Sequence, residues 1–236
     1  MISLPIGFVA FVVVIIASAA GVDSSHYMNL HSLIIVGCGT VAVFAIGTST
    51  NVIKAVGRNV MSLFERRRSM TEVRQELLSL ATNRSAVQSS KDPLIQYAIG
   101  LWERGVDSST FQALLSQFRD KLENEDAESV GALHNIAKYP PALGMMGTVM
   151  GMISLFASLG TSNKASLGPS LAIAMTATFY GLLLANGVLN PLADRVTVES
   201  VHRKKYFALV YEVLTLINRR EPVNMIEEEL MNREAA

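Results

Sequence analysis

The chain has 236 residues, half of them hydrophobic, and its 20 basic and 20 acidic residues cancel to a formal net charge of zero. Mean hydropathy is positive, and the charges are segregated into blocks, so the zero balance says little by itself. The pattern is that of a membrane protein, with no segment large enough for an independent enzyme domain.

The first apolar run, Ile2 to Ala20, is somewhat short for a membrane span. Its end, Ala17-Ser18-Ala19-Ala20, resembles a signal-peptide cleavage site, but no basic residue precedes the run, so it reads as a retained span. A second run, Leu30 to Ile53, is interrupted only by small polar residues and is the second span. It holds Cys38, the only cysteine, which rules out an internal disulfide and reads as a small apolar filler. Residues 54–139 then form a helical block facing water. Within it Ser85 to Pro93 is polar and reads as a loop, and Trp102 reads as a packing residue. Asp107-Ser108-Ser109-Thr110 offers several caps, and Phe111, Leu114, Leu115, Phe118 and Leu122 recur at helical spacing, so a helix starts there. Its apolar positions continue as Val130, Leu133, Ile136 and Ala137 beyond the acidic run Glu123 to Glu128, until Pro140-Pro141 interrupts the rod.

Between Pro140 and Pro191 two long apolar stretches occur, with one lysine, Lys164, and no aspartate or glutamate. Each is long enough to cross a bilayer. A tail with the stripe Phe207, Val210, Leu214 and Ile217 completes the chain. The predicted fold is an all-α membrane protein: spans 1 and 2 in residues 1–53, a cytoplasmic helical domain in 54–139, spans 3 and 4 in 140–191, and a C-terminal cytoplasmic helix in 192–236. Lys54, Arg58 and Arg66 to Arg68 come after the second span, and Arg195, Arg203, Lys204 and Lys205 after the fourth. The loops Gly21 to Asn29 and Thr161 to Ser166 carry only Lys164 between them, so both termini and the middle block are placed in the cytoplasm. Being close to a span, Arg66 to Arg68 read as facing anionic lipid and not nucleic acid.

Residues three, four and seven apart share a helix face. Gly144, Gly147, Thr148 and Gly151 fall on one side of the third span, with Ser158 further along it; Ser170, Ala174, Ala177, Thr178, Gly181 and Ala185 do so on the fourth. Small residues let helices in lipid approach closely, and helix packing alone accounts for the glycines and alanines. A threonine can satisfy its hydroxyl on its own preceding turn, yet Thr148 and Thr178 both lie on these narrow faces. There they are expected to line a gap entered by another helix, one that carries the acid this chain lacks. Pro141 and Pro191 bracket the pair and read as joints between span and cytoplasmic helix, either simple punctuation or hinges.

Pro141-Ala142-Leu143-Gly144 with Val149-Met150-Gly151, the run Ala174-Met175-Thr176-Ala177-Thr178-Phe179-Tyr180-Gly181, and Asn190-Pro191-Leu192-Ala193 resemble the A subunit of bacterial flagellar stators, of the MotA/PomA type within the MotA/TolQ/ExbB proton channel family. The order of two spans, a cytoplasmic block and two further spans is similar along nearly the whole chain. The resemblance implies a homo-oligomer, a pentamer of A subunits around a pair of B-subunit helices, in the bacterial inner membrane. It also implies a B-subunit aspartate that binds the coupling ion, a peptidoglycan anchor on the B subunit, a rotor protein at the cytoplasmic face, and no cofactor. Pro141 and Pro191 match that family's two functional prolines, Thr178 the hydroxyl near the ion-binding aspartate, and Thr148 the threonine of sodium-type stators.

This chain departs from the family's pattern in two places. The cytoplasmic region that carries an arginine and a glutamate against the rotor is shortened here; Arg84 aligns loosely with the arginine, and no glutamate follows at the expected place. The nearby charges Lys91, Asp92, Glu103 and Arg104 either take over that contact or form a solvated face, which leaves a divergent rotor or a non-flagellar motor of the same family as alternatives. Thr148 favours sodium, because a hydroxyl oxygen can replace part of a hard cation's water shell, whereas Ala177 stands where sodium-type members often place another threonine. The balance leans to protons. TolQ/ExbB-like energisers of envelope processes use the same principle but usually place one span before the cytoplasmic block, and a passive scaffold would explain the packing faces but not the two threonines. Catalysis by an enzyme site is not supported: His26, His31, His134 and His202 are scattered, and there is no metal-ligand spacing or phosphate loop.

Overall fold

The structure, a computed structural model, describes residues 29–64, 70–83, 90–159 and 167–234, together with residues 6, 7, 9, 10, 12 and 13. All regular structure among them is helical. The last six belong to the first predicted span and are helical, but the rest of that span, the Ala17 to Ala20 site, Arg66 to Arg68, Arg84 and Lys164 lie outside the described residues. The chain divides into two compact units, Met1–Gly57 with Ser129–Val196, and Arg58–Glu128 with Thr197–Ala236.

In the first unit, α1 runs Leu30–Gly47 and is long and apolar enough to cross a membrane. Asn29 caps it, its side chain accepting from the N–H groups of His31 and Ser32. The helix stops at Gly47, short of the predicted Ile53, because Thr48 is extended and Ser49 restarts the chain as α2, Thr50–Ser62. The Ser49 carbonyl accepts the Ile53 N–H at 3.0 Å, which closes the first turn of α2. Within α1 the five residues Ile34–Cys38 form a wider turn in which the Gly39 N–H reaches back to the Ile34 carbonyl. Cys38, expected as a filler, is exposed on this turn; the π turn leaves it at the surface of the span, where it fills nothing.

Further along the first unit, α6 (Tyr139–Leu159) and α7 (Leu167–Leu184) carry the two apolar stretches around the acid-free region. Both lie in helices that meet the length and hydropathy of a membrane span. The predicted interruption at Pro140-Pro141 is displaced: the preceding helix already ends at Ile136, and the prolines occupy the first turn of α6. There a missing N–H costs nothing, since first-turn donors have no partner within the helix. Pro191 also departs from expectation, since it does not end a helix. Residues Ala185–Leu189 form a second wide turn, and α8, Asn190–Arg219, continues directly from it. A proline lacks a donor and its ring presses on the preceding turn; a wider turn just ahead of it relieves both.

The second unit is built as a water-soluble domain is built. Helices α3 (Met70–Thr82), α4 (Pro93–Glu103), α5 (Ser108–Ile136), α8 and α9 (Val223–Glu234) contribute to it. Its core joins Leu77, Leu80, Leu94, Ile95, Phe111, Leu115, Val210, Leu214, Ile226 and Leu230, each fully buried or nearly so. Phe111, Leu114, Leu115 and Phe118 of the predicted middle stripe and Val210, Leu214 and Ile217 of the tail stripe meet in this core, whereas Leu122, the continuation from Val130 to Ala137 and Phe207 do not belong to it. Trp102 packs as predicted, stacked on Phe111 at 5.4 Å, and donates Nε1–H to Asn218 Oδ1 at 3.0 Å. Two aspartates cap helices. Asp92 is buried and accepts from the N–H groups of Leu94 and Ile95 and from the Tyr206 hydroxyl at 2.6 Å. Asp107 precedes α5, where the hydroxyls of Ser109 and then Thr110 hold its carboxyl well below the usual carboxylate range. A polar knot joins α2, α5 and α8: Asp126 accepts from Arg203 Nε at 2.7 Å and from Asn59 Nδ2 at 3.2 Å, and Arg203 Nη1 reaches Ser62 Oγ at 3.3 Å.

Candidate functional site

The site is the seam between α6 and α7. The two helices run antiparallel, with Gly151 against Ser170 and Ala174 at one end and Pro140 against Gly181 at the other. Their approach is too close for side chains on the facing surface. A Cβ on Gly144 would lie 3.0 Å from the Ala177 carbonyl oxygen and 3.2 Å from the Thr178 Cα, and one on Gly181 would lie 2.5 Å from the Pro140 carbonyl oxygen. On Gly151 it would meet the Ser170 oxygen at 2.8 Å, and on Gly147 it would overlap the Ala177 methyl. Gly144, Gly147, Gly151, Ala174, Ala177 and Gly181 are therefore brought together as one contact, and all are buried. Without a solvent that expels apolar groups, this dense backbone contact is what holds two helices together in lipid.

That contact corrects the expectation of a gap. The two small-residue faces close on each other, so no helix can enter between them. The hydroxyls are left at the flank. Thr178 is half-buried, its Oγ1 3.5 Å from the Gly144 carbonyl oxygen, a long contact with the facing helix. Thr148 is half-buried too, but its hydroxyl donates to Met145 O at 2.6 Å on its own turn, and Ser158 likewise donates to Leu155 O at 2.8 Å. Nothing bonds Thr148 to Thr178. Met145, Met146, Val149 and Met150 beside Thr148 are exposed large apolar residues, as are Met175 and Phe179 beside Thr178. The edge of the seam is a lipophilic surface with two hydroxyls set in it.

Charge is missing from the whole seam. No aspartate, glutamate, lysine or arginine occurs from Tyr139 to Leu159 or from Leu167 to Leu184. No group of three or more potential metal ligands occurs among the described residues. Such a surface can solvate a small cation only partially, through hydroxyl and carbonyl oxygens, and these two stretches offer it no countercharge. Pro141 is half-exposed at the first turn of α6, and Pro191 is exposed at the first turn of α8. Of the charges expected to meet a partner, Lys91, Glu103 and Arg104 are exposed, Arg104 at the rim of a shallow groove with Tyr97 and Phe118. Asp92 is not among them, because its carboxylate is buried as the cap of α4.

Sequence reasoning missed a second set of polar contacts in the same unit. Ser32 on α1 is fully buried and its Oγ lies 2.7 Å from Thr176 Oγ1 on α7; the Asn29 N–H donates to the Tyr180 hydroxyl at 3.2 Å; and Ser154 and Ser170 hydroxyls pair at 3.0 Å across the seam. Their signal is present as isolated hydroxyls inside apolar runs, but nothing in one sequence says which helices face each other.

Several known proteins are similar to this chain. Motility protein A of Cereibacter sphaeroides is 26% identical over 96% of the chain and 92% of its own length, and chemotaxis protein PomA of Vibrio alginolyticus is 22% identical over 94% of the chain and 90% of its own length. Among solved structures, that of C. jejuni MotAB superposes with a TM-score of 0.81 at 19% identity, covering 98% of this chain and 94% of that one. The flagellar MotAB stator complex from Bacillus subtilis gives 0.77 at 20% identity, covering 98% and 93%. These superpositions establish the fold. The profile of the MotA/TolQ/ExbB proton channel family matches residues 86–207, more than half of the chain and the whole of the α6–α7 seam, so the chain belongs to that family.

Proposed function

We propose that the chain is the A subunit of an ion-driven flagellar stator, a channel-type subunit and not an enzyme, which couples ion flow across the inner membrane to torque on a rotor. The observation that carries this reading is the seam itself: two membrane-length helices locked by glycines, with hydroxyls at the edge and no acid of their own. A B subunit of the MotB/PomB type supplies the aspartate and the wall anchor, and several A subunits, five in this reading, surround its helices. A carboxylate without a partner in hydrocarbon costs about 3 kcal/mol or more. Protonation removes that cost, so the edge of the seam meets the B helix differently in its loaded and empty states, and that difference in free energy is what coupling requires.

In this reading Thr178 faces the ion-binding aspartate, Thr148 lines the same route from α6, and Pro141 and Pro191 are the coupling joints. The chain has four spans with both termini in the cytoplasm, and protons are the coupling ion. Exposed Lys91, Glu103 and Arg104, with Arg84, form the charged contact to the rotor. The apolar run of residues 2–20 adds a span ahead of α1 and favours this reading over a TolQ/ExbB-like energiser, which has one span there. Thr178→Val keeps the size of the side chain and removes its hydroxyl. It is expected to lower ion-driven output at least tenfold while the complex with the B subunit still co-purifies. Undiminished output would remove Thr178 from the route. Swimming that stops in sodium-free medium and returns with sodium would replace protons as the ion.

A further inference from the structure

The buried pair Ser32 and Thr176 lies outside the seam and ties α1 to α7. Ser32 Oγ lies 3.0 Å from Ile173 O and 2.7 Å from Thr176 Oγ1, and Thr176 Oγ1 lies 2.7 Å from Ala172 O. Each hydroxyl has one proton, so two protons serve three short contacts and two arrangements are available. In one, Ser32 donates to Ile173 O and Thr176 donates to Ser32; in the other, Thr176 donates to its own helix at Ala172 O and Ser32 donates to Thr176. Both arrangements keep α1 tied to α7.

The tie fixes a rotation. Thr176 and Thr178 are two residues apart, about 200° around the helix. Holding Thr176 against α1 therefore turns Thr178 to the opposite side, where its Oγ1 meets the Gly144 carbonyl of α6. The close seam limits this angle coarsely, since a large roll of α7 would carry side chains into the backbone at Pro140 and Gly144, and the hydroxyl bonds to α1 narrow it further. We propose that Ser32 is a positioning residue that holds α7 at the rotation presenting Thr178 to the flank of the α6–α7 seam. The role rests on the reading of Thr178 as part of the ion route, but the rotation can be measured independently of ion flow.

The geometry also predicts an order of effects. Ser32→Ala abolishes both cross-helix bonds, whereas Thr176→Val leaves Ser32 donating to Ile173 O. Neither change strands a buried hydroxyl, since Thr176 retains Ala172 O in the first variant, so both chains are expected to fold. In a Cys38→Ser/Thr178→Cys background, co-expressed with the B subunit in native membranes, the rate of alkylation by N-ethylmaleimide reports the environment of position 178. With interhelical bonds in lipid contributing about 0.6 kcal/mol each, the rate is expected to change roughly threefold in Thr176→Val and nearer tenfold in Ser32→Ala. Thr176→Ser, which keeps the hydroxyl, is expected to match the parent. Equal rates in Ser32→Ala and the parent overturn the proposal, as does a larger change in Thr176→Val than in Ser32→Ala. A shifted rate together with full ion-driven output of Ser32→Ala in the otherwise native chain upholds the positioning and overturns instead the role of Thr178 in the ion route.

Discussion

The two units are both bundles of helices, yet opposite materials hold them together. The first is joined where side chains are absent, at Gly144, Gly147, Gly151 and Gly181, and by hydroxyl pairs such as Ser154 with Ser170. The second is joined where side chains are largest, at Phe111, Leu115, Leu214 and Leu230, with capped helices and the Arg203–Asp126 ion pair around them. Solvent explains the contrast. Water drives large apolar groups together at about 25 cal/mol per Å², while lipid offers no such gain and leaves contact between backbones as the main attraction. The same residue type is consequently worth opposite amounts in the two places.

Glycine gives the sharpest test of that statement. Gly181→Ala puts a methyl group 2.5 Å from the Pro140 carbonyl oxygen, where backbone must move to admit it, at a cost of about 3 kcal/mol. Loss of assembled complex on size-exclusion chromatography is expected, and a normal elution profile would break the comparison. In the second unit the caps matter more than any glycine. Asp92→Ala removes the acceptor of two helix-start N–H groups and of the Tyr206 hydroxyl, a loss of about 2 kcal/mol. Trp102, the only tryptophan, stands in that unit's core, so its fluorescence should report a lower melting temperature; an unchanged transition would mean the cap is dispensable. Gly100, on α4, has nothing within 4 Å of the Cβ it would gain. Gly100→Ala is therefore expected to stabilise the second unit by up to about 1 kcal/mol. Arg220 ends α8 at a φ of 60°, and Arg220→Gly should yield a smaller gain there, because glycine adopts this backbone without the steric penalty of a side chain. A fall in melting temperature for either would show that contacts beyond these outweigh propensity.

Legibility in the sequence divides along the same line. The stripes Phe111 to Phe118 and Phe207 to Ile217 can be read because a helix between water and a core alternates at 3.6 residues. The helix α4 escapes such reading, since Pro93 closes a polar stretch and the run from Leu94 to Leu101 is apolar nearly throughout; Asp92, one more available charge in the sequence, is a buried cap in the fold. In the spans no such alternation exists, as both lipid and protein neighbours are apolar, and the glycine spacing is the remaining signal. It correctly marks which surfaces of α6 and α7 are narrow but not that they close on each other. Nor does any periodicity in these runs mark that Thr176 meets Ser32 on α1 while Thr178 meets Gly144 on α6.

The wide turns at Ile34–Cys38 and Ala185–Leu189 have a further consequence. Each holds one amino acid more than a regular rod needs and takes it up within a single wide turn, so the helical segments on its two sides keep nearly the same angular phase. Removing a single residue from 185–189 would restore ordinary pitch with little net swing downstream, because five steps of such a turn cover about the same angle as four of an α-helix. A one-residue deletion should therefore disturb the fold less in this stretch than in the regular helix on either side, where it would turn everything beyond it by about 100°; its remaining cost is that the Pro191 ring then meets an ordinary turn.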